Sequence, residues 1–207
     1  MELLKKMTMV LCAVSMMAVQ VKAQSSDEEQ KAFKASYTAE YKGDYAGAIT
    51  ALQTGYRADG YESNLRMGWL NYKAKNYAKS MEYYQKAIDG KKYSVEARLG
   101  YITAANANKS YDKVYNMYEQ VLKIDPYNST ANYWVGVYYY NAKKYDIAAK
   151  YFELVVNMYP FDYDANHMLA WTDLSLGKMS DAKELFKKAL LNRPGDASAT
   201  DGLSKCK

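Results

Sequence analysis

The sequence predicts an all-α fold built from stacked helix pairs, and three observations predict it. The three prolines, Pro126, Pro160 and Pro194, stand 34 residues apart and then 34 again. Behind each lies the same phrase: Tyr111, Val114, Tyr118 and Val121 before the first; Tyr145, Ala148, Phe152 and Val155 before the second; Met179, Ala182, Phe186 and Ala189 before the third. Further upstream, Tyr77, Ser80, Tyr84 and Ala87 repeat it, as do Tyr45, Ala48, Leu52 and Gly55, with spacings of 32, 34, 34 and 34 between successive phrases. Steps of three and four put each phrase on one face of a helix.

A second helix is expected before each phrase, its middle marked by a small residue directly after an apolar one: Met67-Gly68, Leu99-Gly100, Val135-Gly136 and Leu169-Ala170. A small residue there lets a neighbouring element come close, and a large one would overpack the contact. Lys42-Gly43-Asp44, Lys75-Asn76 and Leu176-Gly177-Lys178 read as tight turns inside the pairs. Helices of about 14 residues are marginal alone in water, so stability must come from stacking on neighbours.

Composition agrees with a packed chain and closes several functional classes. Of 207 residues, 49% are hydrophobic and 25% charged, which argues against wholesale disorder. The net charge of +5 is scattered, too weak a signal for nucleic-acid binding. One histidine and two cysteines exclude a histidine-rich metal site and a disulfide framework. The 23 tyrosines point to an aromatic surface or a helical repeat.

Residues 1–23 read as an address. Lys5 and Lys6 precede a largely apolar stretch from Met7 to Val21, and Val21-Lys22-Ala23 offers a cleavage site before Gln24. The stretch is shorter than the ~20 residues that span a bilayer. A cleaved secretory signal is expected, with an uncleaved anchor as the alternative; the implied location is the periplasm or cell envelope, or outside the cell. Cys12 lies within the stretch after bulky Leu11, which argues against lipid attachment. Removal of the segment leaves Cys206 without a partner, and its place next to the terminus predicts a frayed, exposed thiol.

The pattern W-x2-L-G-x2-Y…A-x3-F…P at this period resembles the tetratricopeptide repeat. It reads most fully in 129–162 and 163–196, recognisably in 61–92 and 93–128, and weakly in 29–60, with 197–207 as a cap that Gly202 weakens. The third copy holds Val114 where the family has alanine and two extra residues around Asn106 to Lys109, while the turn from Gly90 to Ser94 runs two short. A local change of pitch is expected between the second and third copies.

The resemblance implies a right-handed solenoid of about five repeats whose first helices line an inner groove. Its lining would be Phe33, Tyr37 and Tyr41; Leu65, Trp69 and Tyr72; Ala97, Tyr101 and Ala104; Tyr133, Val137 and Tyr140; and His167, Trp171 and Leu174. Tyrosine and tryptophan there would anchor an extended peptide or helix of another protein; packing of one repeat on the next is the competing role. Leu65 and Trp69 stand where a carboxylate clamp of lysines and asparagines would need polar groups, so a chaperone-tail adaptor is not expected.

The expected function is a non-catalytic interaction scaffold or assembly factor. A glycan-binding module using the same groove, or a self-associating structural protein, is the alternative. Few acidic or amide residues interleave the stripe, which weighs against sugars. Asp162, Asp164 and Asn166 open like a calcium loop, but His167 replaces the glycine of the turn, and capping of a helix start explains them better. His167 has no companion for a metal site or triad, and no phosphate-cradling glycine loop or G-x-S-x-G occurs, so neither cofactor nor metal is expected.

Overall fold

A computed structural model describes residues 27–207; the signal-like segment and Cys12 lie outside the described residues. The described residues are all-α. The chain divides into two compact units, one ending at Asn108 and one running from Lys109 to Lys207. The first unit contains α1 (27–40), α2 (Tyr45–Gln53), α3 (Tyr61–Lys73), α4 (Tyr77–Gly90) and α5 (Val95–Ala107). The second contains α6 (Tyr111–Ile124), α7 (Ser129–Asn141), α8 (Tyr145–Met158), α9 (Tyr163–Ser175), α10 (Met179–Asn192) and α11 (Ala197–Lys205).

The 34-residue frame is more regular than the sequence phrases suggest. Helices α3, α5, α7, α9 and α11 begin at Tyr61, Val95, Ser129, Tyr163 and Ala197, an unbroken step of 34. The expected short turn and compensating insertion in the third copy therefore do not exist, and that copy starts at Val95. Gly100 is not the counterpart of Gly68; Ile102 is.

Three local devices set this frame. Ser94, Asn128, Asp162 and Asp196 cap the starts of α5, α7, α9 and α11, each accepting the backbone N–H three residues on, from Ala97, Ala131, Ala165 and Ala199. Asn64, Asn132 and Asn166 are each 1% exposed. The amide of Asn132 donates to the carbonyls of Pro126 (2.9 Å) and Asn128 (3.0 Å), clipping the turn before α7 to the helix. Asn64 and Asn166 do the same before α3 and α9, while Arg98 bonds the Ser94 carbonyl before α5. The third device is the turn inside each pair, where Gly43, Lys75, Lys109, Lys143 and Gly177 adopt a left-handed conformation.

Buried rings hold the pairs. Tyr84 of α4 lies against Gly68 of α3 and Gly100 of α5, where an added β-carbon would fall 2.9 Å and 2.3 Å from the ring. Phe152 of α8 lies against Gly136 of α7, and Phe186 of α10 against Gly202 of α11, where the same addition would fall 2.7 Å and 2.1 Å away. Gly202 therefore strengthens the last helix rather than weakening it, because α11 seats on Phe186 through it. Cys206 is 5% exposed and its thiol reaches the Gly202 carbonyl at 3.3 Å, so the expected frayed tail is a docked one. Of the three consecutive tyrosines, Tyr138 is exposed and stacks on Tyr115, with ring centroids 3.8 Å apart. Tyr139 stacks on Tyr151, and Tyr140 meets Tyr145.

Two stability changes follow from the frame. Lys143→Gly should raise stability by up to about 1 kcal/mol, since a left-handed residue with a β-carbon is penalised by roughly 1–2 kcal/mol and glycine's unfolded-state entropy offsets part of the gain. A higher thermal midpoint for the glycine variant, with no rise for Lys143→Ala, checks this. Asn132→Ala should lower stability by about 1–3 kcal/mol by leaving two turn carbonyls without their buried donor, read as a lower urea midpoint.

Candidate functional site

In the first unit, α1 and α3 present residues four apart on facing turns, and these meet. Phe33 and Tyr37 from α1 and Leu65 and Trp69 from α3 line a cleft of about 470 Å³. Trp69 is 40% exposed and Tyr37 43%, large aromatic faces for a folded chain. Tyr41 is exposed beyond them, and Tyr72 packs on Trp69 with centroids 6.0 Å apart.

The rings are fixed by a charged network beneath them. Arg66 of α3 is buried and forms an ion pair with Glu40 of α1 at 2.5 Å. Its other terminal nitrogen donates to Ser36 Oγ at 3.1 Å, and its guanidinium carbon lies 3.7 Å from the Tyr37 ring centroid. The Trp69 indole N–H donates to the second Glu40 oxygen at 2.6 Å, and Lys73 Nζ stands 5.3 Å from the Trp69 ring. Burial alone would raise the Glu40 pKa. The hydrogen bonds from Trp69 and Arg66, with the charges of Arg66 and Lys73, outweigh it and hold the carboxyl below the ordinary glutamate value.

Acidic groups border the cleft. Glu62 and Glu96 line it, and Glu96 accepts a hydrogen bond from Tyr61 at 2.9 Å. Burial, with Glu96 and Tyr72 adding to it, pushes the Tyr84 hydroxyl up to about 12. This face is more acidic than the sequence stripe suggests.

The rest of the expected lining separates into different roles. Tyr101 is buried at 8% exposure, and Ala97 and Ala104 are fully buried. These three were placed two residues out of register, and Leu99, Thr103 and Asn106 occupy the corresponding positions of α5. In the second unit, Tyr133, Val137 and Tyr140 of α7 are half-buried, Tyr133 lying against Phe152 with centroids 5.9 Å apart. Leu174 is half-buried as well.

His167 and Trp171 are half-buried, with α11 packed against them. Ser198 lies 2.9 Å from His167 Nε2 and accepts the Trp171 N–H at 3.2 Å, while Lys205 Nζ stands 5.2 Å from the Trp171 ring. Trp171 also meets Phe186 edge-on at 5.2 Å. Burial holds the His167 pKa below its ordinary value, with Arg193 acting in the same direction against the raising influence of Asp196 and Asp164. These two residues work as a seat for the last helix. Asp162 caps α9, as its place in the frame suggests. Among the described residues no group of three His, Cys, Asp or Glu side chains is placed to hold a metal ion, and no helix is long and apolar enough to cross a membrane.

A family model described as tetratricopeptide repeat matches residues 33–95 and 116–163, and a second of the same description matches 163–196. No curated protein sequence matches significantly. Among solved structures, a tetratricopeptide repeat protein from Parabacteroides merdae superposes with a TM-score of 0.72 at 17% identity, over 87% of this chain and 72% of that one. A MamA protein superposes with a TM-score of 0.68 at 20% identity, over 83% and 95%. MamA from Desulfovibrio magneticus gives 0.67 at 16% identity, over 83% and 98%. These likenesses are likenesses of fold.

The Glu40 network carries a pH signature. A carboxyl held below its unfolded value contributes stability that is present above the ordinary glutamate pKa and lost as pH falls through the lowered one. Glu40→Gln should therefore cost about 1.5–3 kcal/mol at neutral pH, where a charged hydrogen-bond partner is removed. The gap to wild type should close in acid, below the lowered value. Urea unfolding of both proteins across pH checks it, and a gap that persists unchanged in acid would contradict the assignment.

Proposed function

The chain belongs to the tetratricopeptide repeat family, and from that premise we propose that it is a non-catalytic interaction scaffold whose first unit docks a segment of another protein in the Phe33–Tyr37–Leu65–Trp69 cleft. Proteins of this family are in general non-catalytic scaffolds, and the fold implies protein partners. The observation that carries the site is the state of Trp69: two-fifths exposed, yet fixed by a 2.6 Å hydrogen bond to Glu40. An aromatic face already immobilised loses little further freedom on binding, so its apolar area is available as affinity. Exposed apolar rings rimmed by charge are also the usual mark of an interaction surface.

The natural occupant is an extended segment or one helix of a partner, with an apolar side chain entering between Tyr37 and Trp69. The signal-like residues 1–23 support export, and the partner is then a protein of the cell envelope or one secreted beside it. An assembly role in that compartment suits a scaffold that holds two components together.

Affinity capture from the native host envelope tests the reading. Wild-type bait should enrich one or a few proteins, and Trp69→Ala, with matched helical circular dichroism, should lose them, in line with the ~2 kcal/mol or more that truncation of a central anchor removes. Trp171→Ala should lower thermal stability while leaving capture by the folded protein intact, because that ring packs on Phe186 and α11. Equal capture by wild type and Trp69→Ala would overturn the docking site.

A further inference from the structure

The second unit holds a further aromatic cleft, which shares Tyr133 with the expected groove and adds Trp134. It measures about 370 Å³ and is lined by Tyr133 and Trp134 of α7, Val155 at the end of α8, Tyr159 after it, and Asp162 and Asp164 at the start of α9. Trp134 is 48% exposed and Tyr159 54%, with Val155 buried beneath them. Tyr133 and Trp134 meet edge to face, with centroids 5.3 Å apart. The lining therefore combines exposed aromatic rings with two carboxylates.

The chemistry of that pairing is specific. Aromatic faces attract a cation through the ring quadrupole, and a carboxylate completes the charge. Arginine suits it better than lysine, because a planar guanidinium stacks on a ring while its N–H fork reaches a carboxylate. The same unit already holds one arginine in this manner. Arg193 lies 3.7 Å above the Tyr163 ring and 3.7 Å from Asp164. In the first unit Arg66 lies between Tyr37 and Glu40 by the same rule.

The charge balance leaves room for another cation. Asp162 accepts the Ala165 N–H with one oxygen, as the cap of α9, and Asp164 shares its charge with Arg193 at a long, exposed contact. Of the two carboxylates that line the cleft, Asp164 alone is paired with an arginine. Burial raises the Tyr133 hydroxyl pKa, with Asp164 and Asp162 pushing it further up against the opposing pull of Arg193.

We infer that the Trp134–Tyr159 cleft, lined also by Asp162 and Asp164, binds the side chain of an arginine presented by a partner polypeptide. The guanidinium stacks on Trp134 and turns its N–H groups to the two carboxylates, and the aliphatic stem covers Val155. Its residues are none of those that line the first unit's cleft.

The test uses the full chain and the indole N–H resonance of Trp134, assigned by its loss in Trp134→Phe. A short peptide with one central arginine is titrated in, beside a twin in which citrulline replaces the arginine. The arginine peptide should shift the Trp134 resonance saturably and less strongly in high salt, and the citrulline twin should leave it in place. The Asp162→Asn/Asp164→Asn variant keeps a capping side chain on α9 and should weaken binding about three- to tenfold, the factor expected for partly exposed charge contacts. An equal shift by the citrulline twin, a shift by a neutral oligosaccharide in place of the peptide, or a Trp134 resonance that stays put up to millimolar peptide would each overturn the proposal.

Discussion

A ring pressed against a glycine backbone is the contact on which the rest of this structure depends. Helices of 13 or 14 residues do not persist alone in water, so each must bury a face on its neighbour. Tyr84, Phe152 and Phe186 provide the buried mass, and Gly68, Gly100, Gly136 and Gly202 provide the room. Any side chain at these glycines would push helix and ring apart and expose apolar area on both sides. The caps and asparagine clips then fix where each new helix starts, so that the ring of one pair meets the glycine of the next helix in register within each unit.

Exposed aromatic faces are what this packing leaves over. A helix that turns its small residues inward to a ring must turn other residues outward, and in α3 those are Leu65, Trp69 and Tyr72. Phe33 and Tyr37 of α1 complete the cleft, and the Arg66–Glu40 pair ties the two helices at its floor. The ion pair joins the helices and, through the Trp69 N–H, holds the exposed indole in place. A similar position in α9 has the opposite fate. Trp171 faces the same way along its helix, but α11 packs against it and its N–H bonds Ser198, so the chain uses much of that ring to seat its own last helix.

The architecture was legible in the sequence because it is periodic. Helix pairs follow from apolar spacing, and their turns from the polar breaks between them. The register of the third copy is concealed in the sequence because Leu99-Gly100 imitates Met67-Gly68, although the two glycines sit differently: Gly68 meets Tyr84 of the following helix, and Gly100 meets the same ring from the helix after it. Polar residues carried the true frame. Asn64, Arg98, Asn132 and Asn166 stand at steps of 34, as do Lys75, Lys109, Lys143 and Gly177. Hydrophobic patterning gives no weight to either set. The docking of Cys206 and the role of Gly202 were hidden because both depend on Phe186 lying against α11. The Arg66–Glu40–Trp69 network was hidden too, since three residues from two helices 26 to 29 positions apart carry no local signature. Trp134 stands one position off the predicted stripe, beside Tyr133.

The central functional claim is that the Tyr37–Trp69 face is a recognition surface rather than packing awaiting a neighbour. Selection of random linear peptides on the immobilised full chain tests it most directly, with the dissociation constant of each survivor measured on wild type and Trp69→Ala. The account predicts survivors that share an apolar or aromatic anchor and bind the variant at least about 30-fold more weakly, the factor corresponding to ~2 kcal/mol for a central anchor. Survivors that bind both proteins equally, or a selection that enriches nothing, would contradict it.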